Sequence, residues 1–445
     1  MRKLSFLALI ATLIIGCSKD DDGDFIAPVT HEIHVAYDEN YENENAAGAV
    51  ISLENIEDGR SYEATTNAEG RAVVEVVPGS YQINISKTMT AEEYFDFSGQ
   101  EVETEVSFNG SAENISISEN GSSTSLEIVT GTIGNLLIKQ IYYNGSDVRL
   151  GAVFRDQFVE IHNNSNEIQY LDGLYLAQVY GNGSTPSTNE SYHQASGQYD
   201  WSQSLGQDKE NPNSDYIYAD EVLKVPGSGE EYPLAPGESA IIAATAINHK
   251  QPLVIEDEDG ETQTYEVAEP ERTVDLSQVR FEAYFRPYME STGGNFLDYD
   301  IDNPNVTNVE VIFKSSGGRD FILDTHGREA LAIFYSDDEN ISSWGEYPAP
   351  DQNEIDEETS LYLQIPNEVI LDGVELQYNN PAKQKPKRLT SQIDAGETTT
   401  PNGAFSSQSV IRKVAGEIDG RIYYQDTNNS SNDFEFLDRP QVKTN

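Results

Sequence analysis

Short stretches of alternating apolar and polar residues, broken by turn signals, constrain this chain more than any other feature. Residues 32–36, 49–53, 72–77, 81–85 and 102–108 follow a two-residue period. That period matches the alternating faces of a half-buried strand and not the 3.6-residue turn of a helix. Asn67-Ala68-Glu69-Gly70 and Pro78-Gly79 mark turns between them. Residues 126–129 read as a further strand. The polar stretch 111–125 reads as either a long hairpin connection or the last strands of the same unit. With 25 Tyr and 33 Gly in 445 residues, composition also favours strands and turns. An all-β chain of two or three domains is expected.

From Gly134 onward the pattern changes. Residues 135–143 form an apolar run that reads as a buried strand. Asp156-Gln157-Phe158-Val159-Glu160-Ile161-His162-Asn163-Asn164 leads into Leu171-Asp172-Gly173-Leu174-Tyr175-Leu176, and Leu234-Ala235-Pro236-Gly237-Glu238 follows. Val159 and Ile161 flank Glu160 and take the opposite face, which predicts a strand with one wet side. Long polar or acidic stretches at 180–232, 250–310 and 337–360 read as insertions on this scaffold. Loops of that length commonly carry function.

Three resemblances follow from these residues. The series Ala49-Val50-Ile51-Ser52-Leu53, Thr65-Thr66-Asn67-Ala68-Glu69-Gly70-Arg71 and Val77-Pro78-Gly79-Ser80-Tyr81 resembles the carboxypeptidase-regulatory-like family, a small transthyretin-like β-sandwich. The series from Asp156 to Glu238 resembles the lamin-tail domain, an immunoglobulin-like β-sandwich. The run Val410-Ile411-Arg412-Lys413 with 426–434 is similar to its closing strands. The whole chain resembles the DUF4876 proteins, a family of Bacteroidetes lipoproteins. These resemblances imply a small sandwich at 28–128 and a larger one with insertions at 129–445. They imply architecture and no established activity.

Residues 1–16 combine Arg2 and Lys3 with an apolar run over 4–15, long enough for a signal-peptide core and too short to span a bilayer. Leu13-Ile14-Ile15-Gly16-Cys17 resembles a bacterial lipobox, which implies acyl chains on Cys17 and anchorage in outer-membrane lipid. Cys17 is the chain's only cysteine, so no internal disulfide can form. The acidic run Ser18-Lys19-Asp20-Asp21-Asp22-Gly23-Asp24 resembles the export signal that sends Bacteroidetes lipoproteins to the cell surface. Residues 17–27 then form a lipidated tether. Surface lipoproteins of that phylum commonly sit over TonB-dependent transporters, so a β-barrel partner is expected by analogy.

A formal net charge of −50 argues against nucleic-acid partners and against adsorption to anionic membranes. No Ser lies in a G-x-S-x-G context, and HExxH and CxxC are absent. The six histidines offer no ligand pair. His31 and His34, three apart, point to opposite faces of a strand, and His249 reads as a hydrogen-bonded structural residue. A glycosidase pair depends on carboxylate separation, which sequence does not display. A non-catalytic binding role is expected.

Two acidic segments are candidates for calcium. Asp298, Asp300 and Asp302 alternate, and on an extended segment they would share one face. Asp426, Asn428 and Asp433 form a second loop. Neither is an EF-hand: Asn303 and Val309 stand at the sixth and twelfth positions. Asx turns are the alternative at both places. Residues 256–261 read as an acidic hairpin tip turned by Asp259-Gly260. Finally, Tyr192, Tyr199, Trp201, Tyr216 and Tyr218 sit among short polar residues. They form either a glycan, chelated-metal or partner-binding surface or staples that hold the insertion down.

Overall fold

The computed structural model describes residues 27–443 except 39–40, 42–43, 57, 99–105, 119–121, 131–134, 185–190, 257–260, 316–319 and 419. The signal-like segment 1–16, Cys17, the acidic run after it, residues 102–105 of the expected strand at 102–108 and residues 257–260 of the expected hairpin tip at 256–261 lie outside the described residues.

The first seven strands form one sheet. Its spatial order is Ser61–Thr65, Val50–Asn55, Gly79–Met89, Val106–Ile117, Ser122–Thr130, Val29–Tyr37 and Arg71–Val76. Val29–Tyr37 runs parallel to Ser122–Thr130 and antiparallel to Arg71–Val76. The two-residue period explains the packing: Ile33, Val35, Ala72, Val74, Val76, Tyr81, Ile83 and Ile85 all turn into one core. Gly70 makes its turn at φ 67°, where a Cβ would meet the Val35 carbonyl oxygen at 2.4 Å. The polar stretch 111–125 supplies the end of one strand and the start of the next.

A helix at Ala91–Ser98 interrupts this unit and was not anticipated. Its start carries a reciprocal cap. The Thr90 N–H donates to Glu93 Oε2 at 2.8 Å, and the Glu93 N–H donates to Thr90 Oγ1 at 3.2 Å. Tyr94 and Phe97 then pack against Phe108.

The rest of the chain forms a sandwich of two seven-stranded sheets. The front sheet runs Thr307–Asn308, Phe281–Glu282, Ser239–Ala243, Phe158–Asn163, Leu136–Tyr142, Ser409–Arg412, Phe434–Leu437. The back sheet runs Glu346–Pro348, Leu361–Pro366, Tyr216–Lys224, Leu174–Val179, Ala330–Tyr335, Ile370–Glu375. Its seventh strand, Glu310–Lys314, pairs with the second half of Tyr216–Lys224, while Leu361–Pro366 pairs with the first half. The back sheet therefore forks around Asp220.

Residues such as Ile138, Ile161, Leu176, Leu223, Ile242, Ile333 and Val374 fill the space between the sheets. The outer faces are buried too. Tyr175, Ala177, Ile217, Ala332 and Phe334 form a core outside the back sheet, and Tyr142, Phe158, Ile241 and Leu276 form one outside the front sheet. This corrects the expected wet face at Glu160. Its carboxylate is 2% exposed and pairs with the Lys139 ammonium at 2.6 Å. The Tyr424 ring lies over Lys139 and edge-on to His162. The stretch 180–232 is likewise more than decoration, because it contains Tyr216–Lys224, which bonds to three other strands.

Among the described residues the first unit's core shares no member with the cores of the second. Hydrogen bonds cross the junction: Ser111 Oγ lies 2.8 Å from Ser391 Oγ, and Asn109 Nδ2 donates to the Thr427 carbonyl.

Candidate functional site

The aromatic insertion folds onto the back sheet. The Asp200 side chain accepts from the Ser202 N–H and starts a 3-10 turn at Trp201–Gln203, which lays the Trp201 ring on Tyr218 at 3.6 Å and 8°. Tyr180 stacks on Tyr362 at 3.6 Å and 10°. Tyr199, Trp201 and Tyr218 join Tyr347 and Tyr362 in a buried cluster, with Tyr216 packed on its side. The Tyr218 hydroxyl donates to the Pro212 carbonyl at 3.0 Å and accepts from Gln364 Nε2 at 2.8 Å. Tyr192 is half-buried. Of the five rings read as either a recognition surface or staples, Trp201 and Tyr218 thus cover each other's faces, and Tyr199 stacks on Tyr180 and His193.

The acidic candidates are dispersed. Residues 298–302 form no strand, Asp298 and Asp302 are exposed, and Asp300 is buried. Asp300 Oδ2 accepts the Phe285 and Arg286 N–H groups at 3.0 and 2.8 Å, so it caps the helix Arg286–Thr292 from across a loop. Burial pushes its carboxyl up to about 7. Asp302 accepts from Asn308 Nδ2 at 2.8 Å.

At the second candidate the positive charge belongs to the chain itself. Arg412 Nη1 lies 3.2 Å from Asp426 Oδ1 and 3.3 Å from Asp433 Oδ2. Asp433 also accepts the Thr427 N–H and the Thr427 hydroxyl, each at 2.8 Å, and Asn428 takes a left-handed φ of 50°. The loop is an Asx-type turn built on an arginine. Among the described residues no three His, Cys, Asp or Glu side chains gather where they could hold a metal ion.

Three histidines, His31, His162 and His249, are buried and hydrogen-bonded. His249 Nε2 lies 2.9 Å from the Thr245 carbonyl oxygen, and burial pushes it down to about 4. His31 turns into the first core beside Ser122 Oγ at 2.9 Å. His162, beside Ser239 Oγ at 2.9 Å, is lowered to about 3, first by burial and then by Lys139.

An open cleft lies at the fork of the back sheet. There Leu361–Pro366 parts from Glu310–Lys314, and the helix Asp338–Ser343 closes over the gap. The resulting cleft is about 260 Å³. Ile312, Phe313, Ile341, Trp344 and Leu363 form its apolar walls, and Asp338, Ser342 and Glu346 its polar rim. Tyr175 lies in the floor, stacked on Phe334 at 4.9 Å and 9°. Its hydroxyl donates to Asp338 Oδ1 at 2.5 Å, which also takes the Lys224 ammonium at 2.5 Å. Burial, then this carboxylate, then Glu310 and Asp337 raise the Tyr175 hydroxyl above its ordinary range. The cleft can hold a small apolar group and place a charge or hydrogen-bond donor against carboxylates. Sequence reasoning marked 337–360 only as an acidic insertion. Trp344, one of two tryptophans in the chain, was the signal there.

A family model described as "Protein of unknown function (DUF4876)" matches residues 235–441. The crystal structure of a DUF4876 family protein from Bacteroides thetaiotaomicron VPI-5482 is 26% identical. It covers 92% of this chain and 95% of that one, with a TM-score of 0.50. A DUF3823 family protein from Parabacteroides merdae ATCC 43184 is 10% identical over 34% of this chain and 66% of that one, with a TM-score of 0.14. No curated protein matches. In sequence and in architecture, then, this chain is similar to a DUF4876 family protein over nearly its full length.

Proposed function

We propose that this protein is a cell-surface lipoprotein that works as a non-catalytic binding module beside a TonB-dependent outer-membrane transporter. The observation that carries the binding role is the cleft at the sheet fork. It is an open recess with a mixed apolar and acidic lining. Clefts with apolar walls and a few convergent polar groups are the usual form of a binding site. The lipobox at Cys17 and the acidic run behind it support the surface address. The transporter partner rests on analogy with surface lipoproteins of the same phylum.

The test is purification of the native chain from detergent-solubilised membranes. A β-barrel should co-purify with it, and Cys17→Ser should abolish both acylation and that association. Recovery of the native chain with no barrel would remove the partner. An unmodified thiol at Cys17 would remove the anchor.

A second reading, capture of a glycan, is favoured by Trp344, which is half-buried with its ring in the cleft wall. Aromatic rings beside carboxylates suit sugar faces and hydroxyls. Titration with neutral oligosaccharides, with Trp344→Phe as control, separates the two.

A further inference from the structure

We infer that the cleft receives the cationic side chain of a lysine or arginine from a partner polypeptide. This rests on the cleft being the recognition site. The walls suit the stem of such a side chain. Ile312, Phe313, Ile341 and Leu363 make an apolar slot, and long basic side chains lay their methylenes along apolar surface while the charge stays at the wet end. The rim suits the head. Asp338 and Glu346 stand at the mouth, and Glu310 and Asp337 lie near enough to act on Tyr175.

The chain already makes this contact once. The Lys224 ammonium lies 5.4 Å from the Tyr175 ring centroid and pairs with Asp338. Trp344 and Glu346 repeat the same pair of groups in the cleft. Among the described residues no cation lies over Trp344 or pairs with Glu346. Tryptophan is the strongest aromatic partner for a cation. The formal charge of −50 would steer a basic partner toward the surface.

The experiment uses the two tryptophans as reporters. In protein labelled with 15N at tryptophan only, the two indole signals are assigned with Trp344→Phe. Probes are Nα-acetyl-lysine methylamide and Nα-acetyl-arginine methylamide, with Nα-acetyl-norleucine methylamide as the uncharged control. The basic amides should move the Trp344 signal and leave Trp201, buried in its own cluster, in place. Norleucine amide should bind at least fivefold more weakly. Glu346→Gln removes charge at an exposed position of the rim and should weaken the basic amides at least fivefold, with Asp338 left in place because it already holds the Lys224 ammonium. An unmoved Trp344 signal, or norleucine binding as well as lysine, overturns the inference. So does a neutral oligosaccharide that shifts Trp344 where the basic amides do not. With the barrel as that partner polypeptide, a barrel that co-purifies with Glu346→Gln as well as with the native chain also overturns this inference, while leaving the module reading intact.

Discussion

Arg412 and Asp372 join the two sheets of the sandwich, with Nη2 2.7 Å from Oδ1 and both side chains at most 2% exposed. They bracket one residue of a third strand: Asp372 Oδ2 accepts the Ile138 N–H at 2.6 Å, and Arg412 Nε donates to the Ile138 carbonyl at 2.9 Å. Three carboxylates, Asp372, Asp426 and Asp433, surround the one guanidinium. Removing it strands three buried acids, a far larger cost than losing one surface pair. Arg412→Met should therefore lose at least about 3–5 kcal/mol in chemical denaturation. Asp426→Asn should stay within about 1 kcal/mol of the native chain. Burial, and then Asp372 and Asp433, outweigh Arg412 and push the Asp426 carboxyl up to about 7, so a neutral group suits that place near neutral pH.

Trp201 separates the two readings of the aromatic insertion. Its ring is buried and stacked on Tyr218. Trp201→Ala should cost about 3–5 kcal/mol, as for a large ring removed from a core. The lower melting temperature should come with loss of near-ultraviolet dichroism from the tyrosine cluster. A Trp201→Ala protein as stable as the native chain would make the ring a free recognition surface after all.

Val29–Tyr37, Val50–Asn55, Arg71–Val76 and most of Gly79–Met89 were legible because each keeps one wet face, so alternation in the sequence is alternation in space. Ser61–Thr65 was not expected, and in Val106–Ile117 Ser107, Phe108 and Asn109 are buried in succession, so the alternation fails there. The second unit hid more. Glu160 alternates with Val159 and Ile161 as a solvent-facing residue would, yet the hairpin bearing Tyr424 covers that face from about 260 residues away, and Lys139 supplies the countercharge. Tyr216–Lys224 sat unrecognised inside a polar insertion. Its pattern, Tyr216 and Tyr218 among Asp and Ser, reads equally as surface aromatics, and only the strands that sandwich it make it a core element. The helix at Ala91–Ser98 carried a readable signature, Thr90 with Glu93 three residues on, which strand periodicity overshadowed. The cleft could not be read at all. Tyr175, Phe313, Trp344 and Leu363 come from four separate segments and meet only because the back sheet forks.

Stability should peak in mild acid. Burial raises Asp156, Glu221, Glu282, Asp300 and Asp426 to about 7, and Asp220 and Asp394 to about 6. The folded chain therefore binds protons there that the unfolded chain releases near its ordinary carboxylate range. That contribution is complete below about pH 4 and is lost as pH rises through 6 and 7. His162 and His249 act in the opposite sense. Burial depresses them to about 3 and about 4, so their contribution is present above about pH 6.5 and is lost as pH falls toward those values. These seven raised carboxyls outweigh two lowered imidazoles between about pH 8 and about pH 5.5, and the self-repulsion of a strongly acidic chain points the same way. Denaturant midpoints should be higher at about pH 5.5 than at about pH 8, with net proton uptake on folding in that interval. A flat profile would mean the buried carboxylates are ionised in the fold.

Two glycines with similar backbone angles should respond differently to a methyl group. Gly173 takes φ 74° in open space, whereas Gly145 takes φ 65° where a Cβ would meet the Val153 carbonyl oxygen at 2.1 Å. Gly173→Ala meets only the intrinsic left-handed penalty, about 1–2 kcal/mol. Gly145→Ala must also displace that carbonyl, which accepts the Ser146 N–H at 2.6 Å, in a loop tied to a second one by the Ser407 N–H to Gly145 carbonyl bond at 2.9 Å. Its cost should exceed that of Gly173→Ala by about 1–3 kcal/mol in denaturant titrations. Val153 itself holds φ 65° as a β-branched residue, an arrangement that persists only where neighbours enforce it. Val153→Gly would relieve that strain but adds freedom to the unfolded chain. The two effects are of similar size, so its stability should change by less than about 1 kcal/mol. A large loss on Val153→Gly would mean that the valine side chain, rather than the crossed loops, sets the conformation.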